Sequence, residues 1–404
     1  MSKVLQGNML IAQSGGPSMV INQSLVGAVR EARRHRAIRG IYGARHGIRG
    51  ILEEDMLDLR RESLADLEAV AATPSAALGS VRKKPQPEEC AQIFKVMLKY
   101  DIRYFFYIGG NDSAETAHII NQEARAAKHP VRCLHIPKTI DNDLRENDHT
   151  PGFGSAAKFV ACALMGDNLD NRALPGVKID VIMGRHAGFL AASSALARVY
   201  ADDGPHLIYC PERAFSMPSF LKDVRAVMDK LGRCVVVVSE GIADKDGTPI
   251  AAKFISEKDS HGNVQLSGSG ALGDLLAREV KTQLKINRVR ADTFGYLQRS
   301  FPAVISAVDA REARAVGVQA VRCALAGAAE GSIAIRRRRG QSYQVYYERV
   351  PLKKVARETR SLPPNFINKA GNDVTPSFLN YIRPIVGPLP RIRRLRGYAV
   401  PRRK

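Results

Sequence analysis

The chain has no tryptophan, and aromatic residues make up 6% of its 404 positions. A platform on which nucleic-acid bases stack needs aromatic side chains, so their scarcity argues against one. Helix-turn-helix and zinc-finger spacings are missing too. No run of eighteen apolar residues occurs, which argues against a membrane-spanning helix. Met1 to Gly7 carry no apolar signal-peptide core, and a cytoplasmic location is expected. The six cysteines (Cys90, Cys133, Cys162, Cys210, Cys234 and Cys323) form no close pair. Neither a zinc site nor a disulfide framework is indicated, and free thiols are expected.

Positive charge is what the chain has in excess, with a formal net charge of +21. That suits a binder of nucleic acid, of a membrane surface or of small polyanions. Part of the excess lies in the block Arg336 to Arg339 and in residues 391–404. It is therefore partly a property of the tail, and a basic nucleic-acid-binding protein is a remote alternative. Hydrophobic residues at 45% and charged residues at 25% are ordinary for a globular chain, and the length suffices for two lobes with cores.

Apolar runs alternate with helical patterns nearly throughout. Residues 8–13 read as a strand, Ser14-Gly15-Gly16-Pro17-Ser18 as a turn, and Val20 to Arg34 as a helix. Ile38 to Tyr42 is a second strand, and Leu64 to Ala72 and Pro87 to Tyr100 are helical. Between those two helices, Gly79-Ser80-Val81-Arg82-Lys83-Lys84 joins a turn to three cations. The run Tyr104 to Ile108 ends in Gly109-Gly110-Asn111-Asp112-Ser113 and a helix from Ala114 to Ala127. Val131 to Ile136 runs into Pro137-Lys138-Thr139-Ile140-Asp141-Asn142-Asp143. A long helix opens near Gly154, followed by a strand Val177 to Met183, Gly184-Arg185-His186, and a helix carried by small residues to Tyr200.

Leu207 to Cys210 and Cys234 to Val238 are strands, the latter apolar throughout as a parallel strand buried on both faces should be. Pro218 to Leu231 and Leu272 to Leu284 are helical, the second preceded by Gly268-Ser269-Gly270-Ala271. Val289 to Tyr296 reads as a strand, Ala310 to Ala326 as a helix, and Ser332 to Ile335 and Tyr343 to Tyr347 as adjoining strands. The alternation predicts two doubly wound three-layer α/β/α lobes with mainly parallel sheets. Polar residues recur just after the strands at Gly15, Gly109, Lys138 to Asp143, Arg185, Glu240 and Arg299. In doubly wound sheets that is the ligand-binding edge.

The chemistry follows from these residue types. Glycine turns and cations hold a polyphosphate, and helix starts offer unpaired N–H groups to it. A carboxylate beside it can take a proton from an acceptor hydroxyl. Asp141 is the natural base, Thr139 and Asp143 can orient the acceptor, and Lys138 can neutralise the group in flight.

Gly109-Gly110-Asn111-Asp112-Ser113, Pro137 to Asp143, Met183-Gly184-Arg185, Ser239-Glu240-Gly241 and Tyr296-Leu297-Gln298-Arg299 together closely resemble the phosphofructokinase family, in the family's order. The resemblance covers about residues 8–330 and points to the pyrophosphate-dependent branch. It implies reversible transfer of a phosphoryl group from pyrophosphate to the 1-hydroxyl of fructose 6-phosphate, with Mg²⁺. By position, it implies Asp141 as base and Thr139 and Asp143 as acceptor contacts. Met183, Gly184, Arg185 and Glu240 match the sugar-phosphate grip, and Tyr296 and Arg299 the 6-phosphate site. Gly15 and Arg82 match donor-phosphate contacts. Arg290 matches an arginine that the family supplies across a subunit interface, so a homodimer or larger homo-oligomer is expected.

Two positions bear on the donor. ATP-using members of the family carry glycine where this chain has Asp112 and Lys138. An aspartate at the first position fills the room for an α-phosphate and repels it. A lysine at the second stabilises the charge developing on pyrophosphate. Asn111 stands where many members have a Mg²⁺-linked aspartate, and an amide oxygen attracts the ion more weakly. Alternatives within the same fold are ATP as donor or sedoheptulose 7-phosphate as acceptor. Residues 1–143 and 301–404 are expected to form the donor lobe and residues 144–300 the sugar-phosphate lobe. Residues 350–404 carry no motif, and their Pro and Arg content predicts an extended, surface-hugging or flexible end.

Overall fold

The computed structural model describes residues 4–82, 85–251, 270–340, 342–356, 358–398 and 400. In chain order the first elements are β1 (Gly7–Gln13), α1 (Ile21–Ala32), β2 (Ile38–Ala44), α2 (Ile48–Leu52), β3 (Met56–Asp58), α3 (Leu64–Ala72) and α4 (Pro87–Lys99). Next come β4 (Ile102–Gly109), α5 (Asn111–Ala126), β5 (Arg132–Pro137), α6 (Phe153–Ala173), β6 (Val177–Ile182) and α7 (Phe189–Ser193). β7 (Leu207–Tyr209), α8 (Met217–Leu231), β8 (Cys234–Ser239), α9 (Ala271–Leu284) and β9 (Val289–Thr293) follow. The chain continues through α10 (Ala307–Leu325), β10 (Glu330–Arg337), β11 (Val345–Val350) and α11 (Pro376–Val386).

Two sheets result. The larger has the order β11-β10-β5-β4-β1-β2-β3, the smaller β7-β8-β6-β9. Every pairing in the smaller sheet is parallel. In the larger sheet only the two outermost pairings, β10 with β11 and β2 with β3, are antiparallel. Strand order reverses at β1, so the crevice between the ends of β1 and β4 is the expected ligand position.

Each sheet is covered on both faces, which is why its central strands are apolar without alternation. In β4, Tyr104 and Phe106 pack under α1 and α10, while Phe105 and Tyr107 pack against α4 and α5. In β8, Val235 and Val237 face α6 and α7, while Val236 and Val238 face α8 and α9. Each such fully buried side chain contributes roughly 1.5–3 kcal/mol relative to exposure. The α1–α10 crossing is close enough to need glycine. A β-carbon on Gly317 would stand 2.1 Å from the Ser24 carbonyl, and one on Gly27 2.3 Å from that of Arg314.

Three expectations need correction. The helix expected to reach Tyr200 stops at Ser193 and finishes in one 3-10 turn, Ser194–Ala197. There the Ser193 and Ser194 hydroxyls donate to the carbonyls of Leu190 and Ala191, the side-chain competition that makes serine a poor helix former. The strand expected over Val289 to Tyr296 ends at Thr293, and a 3-10 helix, Gly295–Arg299, takes its place.

The C-terminal region is not simply an extended end. Helix α11 buries Phe378, Ile382, Ile385 and Val386 in the same cluster as α6 and Phe189, under the smaller sheet. Beyond it, the Arg394 guanidinium pairs with Asp202 and Asp203 and lies 4.1 Å from the Tyr200 ring centre. Among the described residues no helix is long and apolar enough to cross a membrane.

Candidate active site

The ends of β1, β4, β5, β6 and β8 open on one cleft of about 300 Å³. Its walls include Gly15, Arg82, Asn111, Asp112, Lys138, Thr139, Asp141, Asp143, Met183, Arg185 and Glu240, residues widely separated in sequence. Gly184 lies beneath the wall, with its carbonyl accepting from Ser239 Oγ at 2.5 Å. Lys83 and Lys84, which follow Arg82, and Gly268 and Ser269, ahead of α9, lie outside the described residues.

The donor side is built on turns. Gly15 has φ +75, a left-handed conformation that favours glycine. Its amide donates to the Val81 carbonyl at 3.1 Å, and its carbonyl accepts from Ser80 Oγ at 2.5 Å. The two glycine-bearing loops after β1 and before α4 are thereby tied together. Asn111 and Asp112 open α5, and Asn111 Oδ1 accepts the Asp112 amide at 3.0 Å. His135 on β5 bonds the Gly109 carbonyl at 2.9 Å and Ser332 Oγ at 2.8 Å, which holds the strand end under that turn.

Lys138 is 4% exposed. Burial pushes its pKa down to about 8, and the neighbouring Arg82 and Arg299 push the same way. Asp141, three residues further on, lines the same cleft. Burial, with the Asp143 and Glu240 carboxylates beside it, raises the Asp141 pKa to about 7. Asp143 is raised as well, chiefly by burial, and the positive charge of Arg360 opposes the rise. The Thr139 hydroxyl accepts the Asp141 amide at 3.2 Å and fixes the turn between them. A buried ammonium beside a carboxyl that titrates near neutrality can stabilise a phosphoryl group in transfer and take the proton of an acceptor hydroxyl.

The remaining expected residues lie at or beyond the rim. The Arg299 guanidinium reaches the Gly16 loop, where a β-carbon on Gly16 would stand 2.9 Å from its Nη1. It also stacks 4.5 Å from the centre of the Tyr296 ring. Its guanidinium therefore lies beside the Gly15–Gly16 turn in this structure. Arg290 lies on β9, an edge strand of the smaller sheet, outside the cleft wall, and its Nη1 donates to the Val289 carbonyl at 3.0 Å.

Ser14, Ser113, Thr116 and His186 also line the cleft, although the sequence assigned them no role. Their positions within or just beyond the strand-end motifs were the available signal. Asn111, Asp112 and Asp141 give this cleft a hard, all-oxygen donor set that fits Mg²⁺. A separate group of carboxylates, Asp167, Asp180 and Asp292, lies off the cleft wall, with the Lys178 ammonium bonded to Asp167.

Two mainly parallel sheets that present glycine turns, cations and paired carboxylates at their carboxyl ends define a phosphotransferase. The chain belongs to the phosphofructokinase family, whose model matches residues 8–324. It is 56% identical to the pyrophosphate–fructose 6-phosphate 1-phosphotransferase of Rhodospirillum rubrum over 98% of both chains. With the enzyme of that name from Xanthomonas campestris it shares 40% identity, over 94% of this chain and 91% of the relative. The crystal structure of the pyrophosphate-dependent phosphofructokinase of Marinobacter aquaeolei superimposes with a TM-score of 0.85, at 34% identity, over 98% of each chain.

Proposed function

We propose that the protein transfers a phosphoryl group reversibly between inorganic pyrophosphate and the 1-hydroxyl of fructose 6-phosphate. The products are fructose 1,6-bisphosphate and phosphate. The observation that carries the donor is the buried Lys138 ammonium at the Gly15 turn, on one cleft with Asp112. Lys138 supplies the fixed charge that a nucleotide's further contacts would otherwise supply, and Asp112 occupies and repels the place of a third phosphate.

In the forward direction Asp141 takes the proton of the 1-hydroxyl. The freed oxygen attacks the terminal phosphorus, the bridging P–O bond breaks, and phosphate leaves with the bridging oxygen. Lys138, Arg82 and the Gly15 turn hold the donor oxygens. Thr139 and Asp143 orient the acceptor, and Met183, Gly184, Arg185 and Glu240 grip the sugar. A carboxyl with a pKa of about 7 can both take a proton and return it near neutral pH, which suits a step that runs both ways. Mg²⁺ would be held by Asn111 with the nearby carboxylates and would neutralise pyrophosphate charge.

Tyr296 and Arg299 take the 6-phosphate, for which the Arg299 guanidinium must turn away from the Gly16 loop. Arg290 completes that site from a second copy of the chain, in at least a homodimer. Its edge-strand position supports this, as do the exposed apolar neighbours Leu297 (63%) and Phe301 (37%). The donor lobe comprises residues 1–143 with 301–404, the sugar-phosphate lobe residues 144–300. Helix α11 is the part of the first that packs into the second.

The test is donor choice with fructose 6-phosphate and Mg²⁺. Wild type is expected to turn over with pyrophosphate and not with ATP, and Asp112→Gly with Lys138→Gly to gain ATP activity. Turnover of wild type with ATP alone would overturn the donor assignment.

A further inference from the structure

The loop that carries the two cleft carboxylates is held by residues far from any recognised motif. Asn142, between Asp141 and Asp143, is fully buried and adopts φ +60. A non-glycine residue in that conformation persists where its surroundings hold it. The Thr150 amide donates to Asn142 Oδ1 at 3.1 Å, and the other holding groups come from the C-terminal region. Arg360 Nε donates to the Asn142 carbonyl at 2.8 Å, and Nη2 donates to Asn142 Oδ1 at 2.7 Å and to the Asp148 carbonyl at 2.8 Å. Nη1 donates to the Asn147 carbonyl.

The Arg360 backbone amide donates to the Asp143 carbonyl at 2.7 Å, and Leu144 and Thr359 form an antiparallel bridge beside it. Tyr381, on α11, accepts from Asn142 Nδ2 at 2.8 Å and donates to the Asp148 carbonyl at 2.7 Å. The guanidinium also lies 5.0 Å from the centre of the Phe189 ring, in the core of the smaller sheet. One side chain thus joins both ends of the Asn142–Asp148 loop to the second lobe.

We infer that Arg360 is a positioning residue for the phosphoryl transfer, fixing the backbone that aims Asp141 and Asp143 into the cleft, with Tyr381 as its support. The inference rests on the reading of Asp141 as the base. A planar fork with five N–H groups meets several carbonyls at fixed angles, which an ammonium cannot do. The guanidinium also brings positive charge to the carboxylate pair. Other charged or titratable groups facing that pair include Lys138, Arg82, Arg299, Glu240 and His186.

The experiment compares wild type with Arg360→Ala, Arg360→Lys and Tyr381→Phe, using steady-state kinetics with pyrophosphate and fructose 6-phosphate. Arg360→Ala is expected to lower kcat by about 100-fold, the cost of a misplacement of about 1 Å, with KM for pyrophosphate little changed. Guanidinium ion at millimolar concentration is expected to restore part of that loss. Arg360→Lys keeps the charge and loses the fork. Its kcat is expected to fall with KM for pyrophosphate little changed, so the loss of the fork is read even where the alanine variant fails to fold.

Tyr381→Phe is expected to lower kcat by less than Arg360→Ala. A folded Arg360→Ala protein with kcat within about twofold of wild type would overturn the inference, as would a loss that guanidinium ion does not rescue or an Arg360→Lys protein with wild-type kcat. Failure of the functional reading looks different, because wild type itself would then show no turnover.

Discussion

The ammonium nitrogen of Lys138 stands 3.0 Å from the point where a β-carbon on Gly15 would lie. The glycine turn and the lysine are therefore one device, since the turn's bare backbone leaves the room in which the cation sits. Gly15→Ala meets two obstacles, a left-handed φ that costs an alanine about 1 kcal/mol and a contact that displaces the ammonium. The expected result is a fall in kcat/KM for pyrophosphate of about 10- to 100-fold with the fold retained. Steady-state kinetics beside circular dichroism checks it, and an unchanged kcat/KM would separate Lys138 from the donor.

The two perturbed groups in the cleft predict a narrow pH window. Asp141 must be ionised to accept the proton, so the rate falls as pH drops through about 7. Lys138 must be protonated to neutralise the donor, so the rate falls as pH rises through about 8. The profile of kcat/KM, which reports the free enzyme, should be a bell between those limits. Lys138→Arg should carry the basic limb upward, because a guanidinium keeps its charge there.

Asp141 also opposes folding when ionised. Its folded-state pKa lies above the ordinary value of 3.8, so the native state favours the protonated form. The associated stability is complete below about pH 4 and is lost as pH rises through about 7. Asp141→Asn should therefore raise Tm by several degrees at about pH 8, and by little at about pH 4. The same variant should lose about 10²- to 10⁴-fold in kcat, the usual contribution of a general base. Calorimetry across pH is the check, and an equal gain at both pH values would remove the electrostatic explanation.

A site shared between subunits can be tested by mixing. Arg290→Ala and Asp141→Asn proteins are each expected to be nearly inactive alone. Hybrids that pair one of each contain a site with both residues intact. Refolding the two together should regain up to about one quarter of wild-type activity, the share of intact sites under random pairing of two chains. No recovery in hybrids verified by mass would place Arg290 in its own chain's site.

The strand–turn–helix steps were legible because the apolar strands run into glycine or polar residues, as at Gly109 and Ser239. The cleft residues were legible for the same reason, because a parallel sheet gathers every strand end on one edge. What escaped was structure without such punctuation. Met56–Asp58 and Ile48–Leu52 are too short to show a period. Pro376 and Pro384 make α11 look like a coil. Yet a proline in the first helical turn costs nothing, and the apolar spacing of Phe378, Ile382, Ile385 and Val386 is helical. Arg360 had no local signal at all, since its partners lie more than two hundred positions earlier in the chain.

The order of the strands bears on how the protein comes off the ribosome. The chain lays down β1 to β5 in one sheet, then all of β6 to β9 in the other, and only then β10 and β11 beside β5. A growing chain that already contains Asp141 and Asp143 thus waits for more than two hundred further residues before Arg360 and Tyr381 can close on them. Until then the edge of β5 is open, and the larger lobe cannot finish before the smaller has been made. Catalytic competence arrives near the end of synthesis, and a message cut short after β11 yields a chain with every cleft motif and without the Arg360 and Tyr381 bonds to its loop.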